Sequence, residues 1–344
     1  MPLDSWFTAN LACPVDHTSL TADSAELVCA NGHRYPVVDG VPVMLRPDVP
    51  STIVLADASL QRARGAGIDQ RAPELYLESL GISEDEKRGV LDLAAAGSAI
   101  DPVVAYLIAA TNGLMYRHLI GSLSAYPIPD LALPPGSGRR LVDVGCSWGR
   151  WSIAASRLGY EVLGVDPSLG AVMAARRVAR QLNLPNRYVV ADARYLPLPA
   201  DAVDVTYSYS VLQHFSFDDA TMAIGEMGRV LKPRGIARVQ MPTRFGIRCL
   251  YHQARRSFRD ATGFEVRYWT LAALASTFSR HIGPVRFEVD GYFGIGLQRA
   301  DEPLMTPSLR RVLHASEFLK AISRRFRPLI GIADSVFVEA TARA

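Results

Sequence analysis

Three acids in this chain each close or interrupt a short apolar run. They are Asp143 in Leu141-Val-Asp-Val, Asp166 at the end of Glu161-Val-Leu-Gly-Val, and Asp192 after Tyr188-Val-Val-Ala. A carboxylate at the carboxyl end of a buried strand can accept hydrogen bonds from paired ribose hydroxyls, and Asp166 is best placed for that chemistry. Asp143 is followed by Gly145, Cys146 and Gly149, a glycine turn into the helical spacing of Trp151, Ile153, Ala154 and Leu158. Glycine lets the backbone turn sharply and approach a ligand closely. The order Asp143-x-Gly145-x-x-x-Gly149 is not Gly-x-Gly-x-x-Gly. A second chemical cluster, Ser208-Tyr209-Ser-Val-Leu-Gln213-His214, follows another apolar run from Val203. Histidine titrates near neutral pH and suits a general base, and the phenol of Tyr209 can orient a hydroxyl. His214 reads equally as a residue packing its turn.

The elements that must position these residues alternate. Buried strands at 141–144, 161–166, 188–192 and 236–241, and a fourth in order that runs from Val203 into a turn by His214, are separated by helical segments, the last of them Glu226 to Gly235, ended by Pro233 and Gly235. That alternation implies an α/β fold with a parallel, doubly wound sheet. Ligands in such sheets bind at the carboxyl ends of the strands.

In these segments the chain resembles the class I S-adenosylmethionine-dependent methyltransferases. The Asp-x-Gly turn, the acid after the second strand, the pair Asp192-Ala193, Ser-Val-Leu-Gln-His and Arg-Val-Leu-Lys-Pro-x-Gly occur in that family's order over residues 138–245. Ser147 departs from the pattern, standing where many members have glycine. The resemblance implies a Rossmann-like seven-stranded sheet whose last two strands pair antiparallel at its edge. It implies S-adenosyl-L-methionine as cofactor, with Asp143, Gly145, Cys146, Gly149, Asp166, Pro167, Asp192, Ala193 and Ser208 around it. Asp192 would accept from the adenine amino group, and the Ala193 amide would donate to a ring nitrogen. Tyr209 and His214 become catalytic candidates, with Tyr116, Gln213 and Arg244 toward the substrate.

Residues 1–50 read as a separate module. Cys13-x-x-x-His17 and Cys29-x-x-x-His33 are two similar turns, and Tyr35 to Leu45 is a strand, an Asp-Gly turn and a strand. Cysteine and histidine suit tetrahedral zinc. The segment resembles the zinc-ribbon-like activators of methyltransferases and the zinc module of some rRNA guanine methyltransferases. Those patterns carry a cysteine three positions after the first, where this chain has Asp16 beside His17. The expected structural zinc site is Cys13, Cys29 and His33, with Asp16 or His17 as the fourth ligand.

Residues 51–137 read as a helical lid and linker, broken at Pro73 and at 94–98. They include a helix from Asp101-Pro102, another from Leu114 to Ile120, and a proline- and glycine-rich run from Tyr126 to Gly138. Residues 138–344 form the main domain, with a helical insertion at about 298–330.

Composition narrows the possibilities. A chain of 344 residues with 49% hydrophobic residues supports a sizeable core. Four cysteines do not make a disulfide scaffold at this length. No basic stretch leads into an apolar run at the N-terminus, and Val103–Ala110 is too short to span a bilayer, so a cytoplasmic protein is expected. Charge is uneven: residues 232–327 hold 18 Lys and Arg against 7 Asp and Glu. Such a half can favour an anionic substrate, nucleic acid or a membrane surface, or be a solvated arginine-rich face.

The expected substrate is a small molecule or a glycan- or lipid-linked precursor. An rRNA or tRNA base methyltransferase is the first alternative, but no Asn-Pro-Pro-Tyr-like motif follows the fourth strand. A nicotinamide-dependent reductase lacks its Gly-x-Gly-x-x-Gly. A cofactor-binding scaffold without turnover is the remaining alternative. The sequence leaves the oligomeric state open.

Overall fold

The computed structural model describes residues 3–111, 116–294, 296 and 298–344. The chain divides into two compact units, Met1–Ile128 with Leu133–Ala202, and Pro129–Ala132 with Val203–Ala344.

In the first unit a short helix α1 (Ser5–Asn10) precedes β1 (Leu20–Asp23), β2 (Glu26–Cys29), β3 (Arg34–Val38) and β4 (Val41–Pro42), an antiparallel sheet in chain order. Asp39 and Gly40 both take left-handed φ, 48° and 82°, as a tight hairpin turn requires. The sequence reads residues 1–50 as separate, yet they pack into the first unit. Val43 forms a parallel bridge with Val190, and the Met44 N–H donates to the Val190 carbonyl at 2.7 Å. Val41, Val43 and Leu45 share one apolar cluster with Val172, Tyr188 and Val190. Four short strands bury too little surface to stand alone, and an open strand edge offers them unpaired backbone groups.

Helices α2 (Val54–Ala63), α3 (Glu84–Ala95) and α4 (Pro102–Thr111) follow. Asp101 caps α4, accepting from the Val103 and Val104 amides, and also receives Arg177 at 2.6 Å. The expected helix from Leu114 begins outside the described residues; from Tyr116 on there is a single tight turn, Arg117–Leu119.

The parallel strands β5 (Arg140–Val144), β6 (Glu161–Asp166) and β7 (Arg187–Val190) alternate with α5 (Arg150–Arg157) and α6 (Leu169–Gln181). The first turn of α6 is fully buried, so its free N–H groups need partners. Ser59 Oγ accepts from Leu169, Ser79 Oγ from Gly170 and Ser168 Oγ from Ala171, at 2.9, 2.7 and 3.2 Å. The helical segment before the core is thereby fastened to α6.

The second unit holds β8 (Val203–Ser208), α7 (Phe217–Val230), β9 (Leu231–Pro242), α8 (Ile247–Arg255), α9 (Leu271–His281), β10 (Val285–Gly291), α10 (Pro307–Ser323) and β11 (Ser335–Thr341). The helix expected to run to Gly235 ends at Val230. Strand β9 begins at Leu231, and Arg234 takes φ 64° in a kink where a Cβ on Gly235 would lie 2.8 Å from the Lys232 carbonyl. β9 pairs parallel with β8 and antiparallel with β11, and β10 pairs antiparallel with β11. The seven-stranded sheet runs β10-β11-β9-β8-β5-β6-β7, a Rossmann-like doubly wound order with its antiparallel pair at one edge. Among the described residues no helix is long and apolar enough to cross a membrane.

The buried start of α6 sets a strict requirement at Gly170. A Cβ there would stand 2.5 Å from the Tyr76 carbonyl oxygen and 2.7 Å from Leu80. Alanine favours a helix over glycine by about 1 kcal/mol, but overpacking costs about 1–3 kcal/mol. Gly170→Ala should therefore destabilise the protein by up to roughly 2 kcal/mol in urea unfolding. Gly331→Ala, with nothing within 4 Å of the new methyl, should stay within about 0.5 kcal/mol of wild type.

Candidate active site

The glycine turn after β5 is held from the neighbouring strand. Gly145 and Cys146 both donate to the Val165 carbonyl, at 2.8 and 3.0 Å. Gly145, Ser147 and Gly149 take φ of 78°, 47° and 83°. The left-handed region costs a residue with a Cβ about 1 kcal/mol, which explains why glycine suits position 147. Here Ser147 is retained by its own N–H, which donates to Asp166 Oδ2 at 2.9 Å. The other carboxylate oxygen of Asp166 accepts from the Ser168 N–H at 2.9 Å. One side chain thus grips the turns after both β5 and β6. Each oxygen keeps a lone pair for a further donor. Burial pushes the Asp166 carboxyl up to about 6, against the two amides that favour its charged form.

The other residues expected in this group separate into distinct roles. Asp143 is buried and accepts from Ser152 Oγ at 2.7 Å, tying β5 to α5. Burial and the nearby Asp166 raise it to about 7, although Ser152 opposes the shift. The Cys146 sulfur lies in the apolar cluster with Leu169, Val172 and Tyr188, so its side chain is core and only its backbone belongs to the turn. Gly149 has no room for a side chain, since a Cβ would stand 2.6 Å from the Tyr188 hydroxyl. The Pro167 carbonyl accepts from Ser59. Asp192 and Ala193 are buried after β7, and Arg194 forks onto both Asp192 oxygens, the shortest contact being 2.7 Å. Arg194 escaped the sequence reading; an arginine two residues after an acid was its only signal. Tyr116 is buried, with its hydroxyl 3.2 Å from Arg150.

In the second unit Ser208 is fully buried at the end of β8. The Tyr209 hydroxyl donates to Asp290 at 3.1 Å and accepts from Gln298 at 2.6 Å, while Ser335 donates to the same Asp290 oxygen. Ser210 takes φ 62°, and its N–H donates to Gln240 Oε1 at 2.9 Å. A backbone N–H can only donate, so the orientation of the Gln240 amide is fixed. His214 Nδ1 lies 2.7 Å from the Phe264 carbonyl and must carry the proton. Its Nε2 is then an acceptor and receives the Gln213 Nε2–H at 3.1 Å. That fixes the Gln213 amide too, and its Nε2 also donates to Ser210 Oγ at 2.8 Å. What remains is Gln213 Oε1 and Gln240 Nε2, one acceptor and one donor, both buried without a protein partner. Burial and Arg267 lower the His214 pKa, and its ring stacks on Phe264 at 3.8 Å. Arg244 is exposed; its backbone N–H donates to the Trp269 carbonyl. Asp290, Gln298 and Gln240 come from distant strands and loops, and no local spacing marks them.

The N-terminal cluster is Cys13, Asp16, Cys29 and His33, whose ligand atoms all lie within 4.8 Å of one another. His17 is not part of it. Its side chain is exposed and its φ is 58°, because Asp16 turns inward and accepts from Thr18 N–H and Oγ1. His33 Nδ1 stands 3.5 Å from Cys13 Sγ, 3.2 Å from Cys29 Sγ and 3.2 Å from Asp16 Oδ2. One ring nitrogen cannot serve three hydrogen bonds. A tetrahedral zinc with Zn–S of about 2.3 Å and Zn–N or Zn–O of about 2.0–2.2 Å gives ligand–ligand edges of about 3.3–3.8 Å, so the four residues fit such an ion.

Asp143 and Asp166 set a pH dependence. Their folded pKa values lie above the ordinary carboxylate value, so the folded protein binds protons more tightly than the unfolded chain. Their contribution to stability is complete below about pH 4 and is lost as pH rises through about 6–7. Asp143→Asn should flatten the decline in the unfolding free energy of the ligand-free protein, read by urea titration between pH 5 and 8, by on the order of 1–3 kcal/mol.

A family profile described as a methyltransferase domain matches residues 142–239. A ubiquinone biosynthesis O-methyltransferase of Rhodopseudomonas palustris is 31% identical over 100 residues, 29% of this chain and 38% of that one. A malonyl-[acyl-carrier protein] O-methyltransferase of Pectobacterium atrosepticum is 34% identical over 104 residues, 30% of this chain and 39% of that one. The chain therefore spans about two fifths of the length of the curated relatives it matches. A solved structure of phosphoethanolamine N-methyltransferase 2 from Haemonchus contortus is similar at 19% identity and a TM-score of 0.42, covering 61% of this chain and 50% of that one. With the order of the sheet and the turn after β5, the match makes residues 142–239 a methyltransferase domain of the class I S-adenosylmethionine-dependent superfamily.

Proposed function

We propose that this protein transfers the methyl group of S-adenosylmethionine to an oxygen of a small molecule or of a glycan-, lipid- or carrier-linked precursor. The observation that fits an acceptor hydroxyl is the pair left over at Ser210. Gln213 Oε1 needs a donor and Gln240 Nε2 needs an acceptor, and a hydroxyl group supplies both. The two relatives' names, both O-methyltransferases, support the same acceptor atom.

S-adenosylmethionine brings a methyl group already activated on a sulfonium, so the protein's task is mainly placement and exclusion of water. Asp166 would accept from the ribose hydroxyls through its spare lone pairs, Asp192 from the adenine amino group, and Ala193 would donate to the ring. Gln213 and Gln240 would hold the acceptor hydroxyl. His214, neutral and bonded at both ring nitrogens, would act as a positioning residue that fixes Gln213 rather than as a base. Tyr209, braced by Asp290 and Gln298, would line the acceptor side.

Calorimetry should show binding of S-adenosylhomocysteine and none of NAD(H), with Asp166→Ala losing at least about tenfold in affinity. With methyl-labelled S-adenosylmethionine and a cell extract, label should appear in O-methyl products. Gln213→Leu should slow transfer about 10–100-fold while S-adenosylhomocysteine affinity stays unchanged. The pH–rate profile should show no limb from His214 between pH 6 and 8. N-methyl products, or a neutral-pH limb that vanishes in His214→Ala, would overturn these assignments.

The N-terminal cluster would hold one structural zinc through Cys13, Asp16, Cys29 and His33. Elemental analysis should find about one zinc per chain, with N/S/O ligation by X-ray absorption. Cys29→Ser and Asp16→Ala should lower the content and His17→Ala should not. Metal-free protein with the same thermal stability would remove zinc from the account.

A further inference from the structure

The second unit carries a surface that methyl transfer does not explain. Between Arg244 and Arg259 there are five arginines and no acid, and between Pro307 and Ile332 six basic residues and one acid, Glu317. Glu317 is itself paired with Lys320 at 3.5 Å. Among the described residues, nine of the twelve large apolar side chains that this unit leaves exposed lie in the same two segments. On and just beyond α10, Phe318, Ile322 and Phe326 recur every four residues, with Phe318 66% and Phe326 57% exposed. On α8, Ile247, Leu250 and Tyr251 are exposed, as are Arg248 and Arg255 on the same helix.

The two segments meet. Asp334, fully buried just beyond Ile332, accepts at Oδ1 from the Arg248 and Cys249 amides at 2.7 and 2.9 Å, capping the start of α8. Thr243 Oγ1 donates to the Ala333 carbonyl, and a Cβ on Gly246 would lie 2.5 Å from Asp334 Cα. The start of α8 therefore adjoins the chain just beyond Ile332.

Apolar and cationic side chains interleaved on exposed helices match the headgroup boundary of an anionic bilayer, where rings and aliphatic chains enter and guanidinium groups meet phosphates. A nucleic acid would use the arginines and could stack on the aromatics, but it has no use for Ile247, Leu250, Ile322 and Ile332 in water. We propose that this face docks the protein on an anionic lipid surface, with Phe318, Ile322 and Phe326 entering the headgroup layer and Arg324, Arg325 and Arg327 against the phosphates. The inference is independent of which acceptor is methylated.

Vesicle co-sedimentation of the full chain tests it, using phosphatidylcholine alone and phosphatidylcholine with phosphatidylglycerol. Binding should require the anionic lipid and weaken as salt is raised. Each arginine removed should cost about fivefold, so a variant with Arg324→Ala, Arg325→Ala and Arg327→Ala should bind roughly 100-fold more weakly. A variant with Phe318→Ser and Phe326→Ser should lose binding even at low salt. Both sets of changes lie on exposed positions, and thermal unfolding checks that each variant is folded. Equal binding to the two kinds of vesicle, or no binding to the anionic one at low salt, would overturn the proposal. So would aromatic variants that bind as wild type. Self-association through this face, seen by light scattering and lost in the aromatic variants, would also overturn it if vesicles are ignored.

Discussion

A half-buried carboxylate that must be satisfied is the constraint on which the first unit turns. Asp166 ends β6 half-buried, and leaving a charge there without partners is costly. Its two oxygens are met by backbone amides from two turns, those of Ser147 and Ser168. The arrangement fixes the turn after β5 and the start of α6 relative to each other. It also explains how Ser147 is kept in a conformation that glycine adopts more easily. Asp143, one strand over, is buried more deeply and spends its contact on Ser152 of α5. Two acids in similar sequence positions thus have different duties, decided by which donors surround them.

The same principle organises the polar groups after β8. Ser210 sits in a left-handed kink, and its amide and hydroxyl reach two glutamines, Gln240 from β9 and Gln213 from the turn that follows. Each donor or acceptor fixes the next: the Phe264 carbonyl sets the His214 tautomer, and that sets Gln213. A chain of this kind makes a side chain such as His214 structurally rigid and chemically quiet. It also leaves one donor and one acceptor unmatched, which is expensive unless something binds there.

The N-terminal sheet contributes order from a different source. Its strands are short and its apolar content small, but Val43 and Met44 extend the sheet beyond β7 and place Val41, Val43 and Leu45 in the larger core. Cys13, Asp16, Cys29 and His33 gather at the other contact of the module with itself, between the loop before β1 and the turn after β2. Around them Tyr35 donates to or accepts from the Cys13 sulfur at 3.0 Å, and Asn31 donates to Asp16 at 2.7 Å. These outer contacts orient the ligand atoms before any ion is considered.

The sequence by itself determined the alternation of strands and helices, the glycine turn, the acids closing the strands and the Asp39-Gly40 hairpin. All of these are local: burial period, turn stereochemistry and caps depend on neighbours a few residues away. The start of the helix at Asp101-Pro102 was legible for the same reason. The end of α7 was not, because Lys232-Pro233-Arg234-Gly235 reads as a helix stop although pairing with strands on both sides draws it into β9. Nor could the sequence choose between Asp16 and His17, since either side chain is close enough and the choice rests on which way the loop turns. The partners of Tyr209, the fixing of Gln213 and the burial of Ser59 and Ser79 against α6 were decided only in three dimensions. Apart from the local bonds of Gln213 to Ser210 and His214, which depend on Phe264 fifty positions away, those contacts join residues from about 30 to more than 100 positions apart, so no spacing within the chain records them.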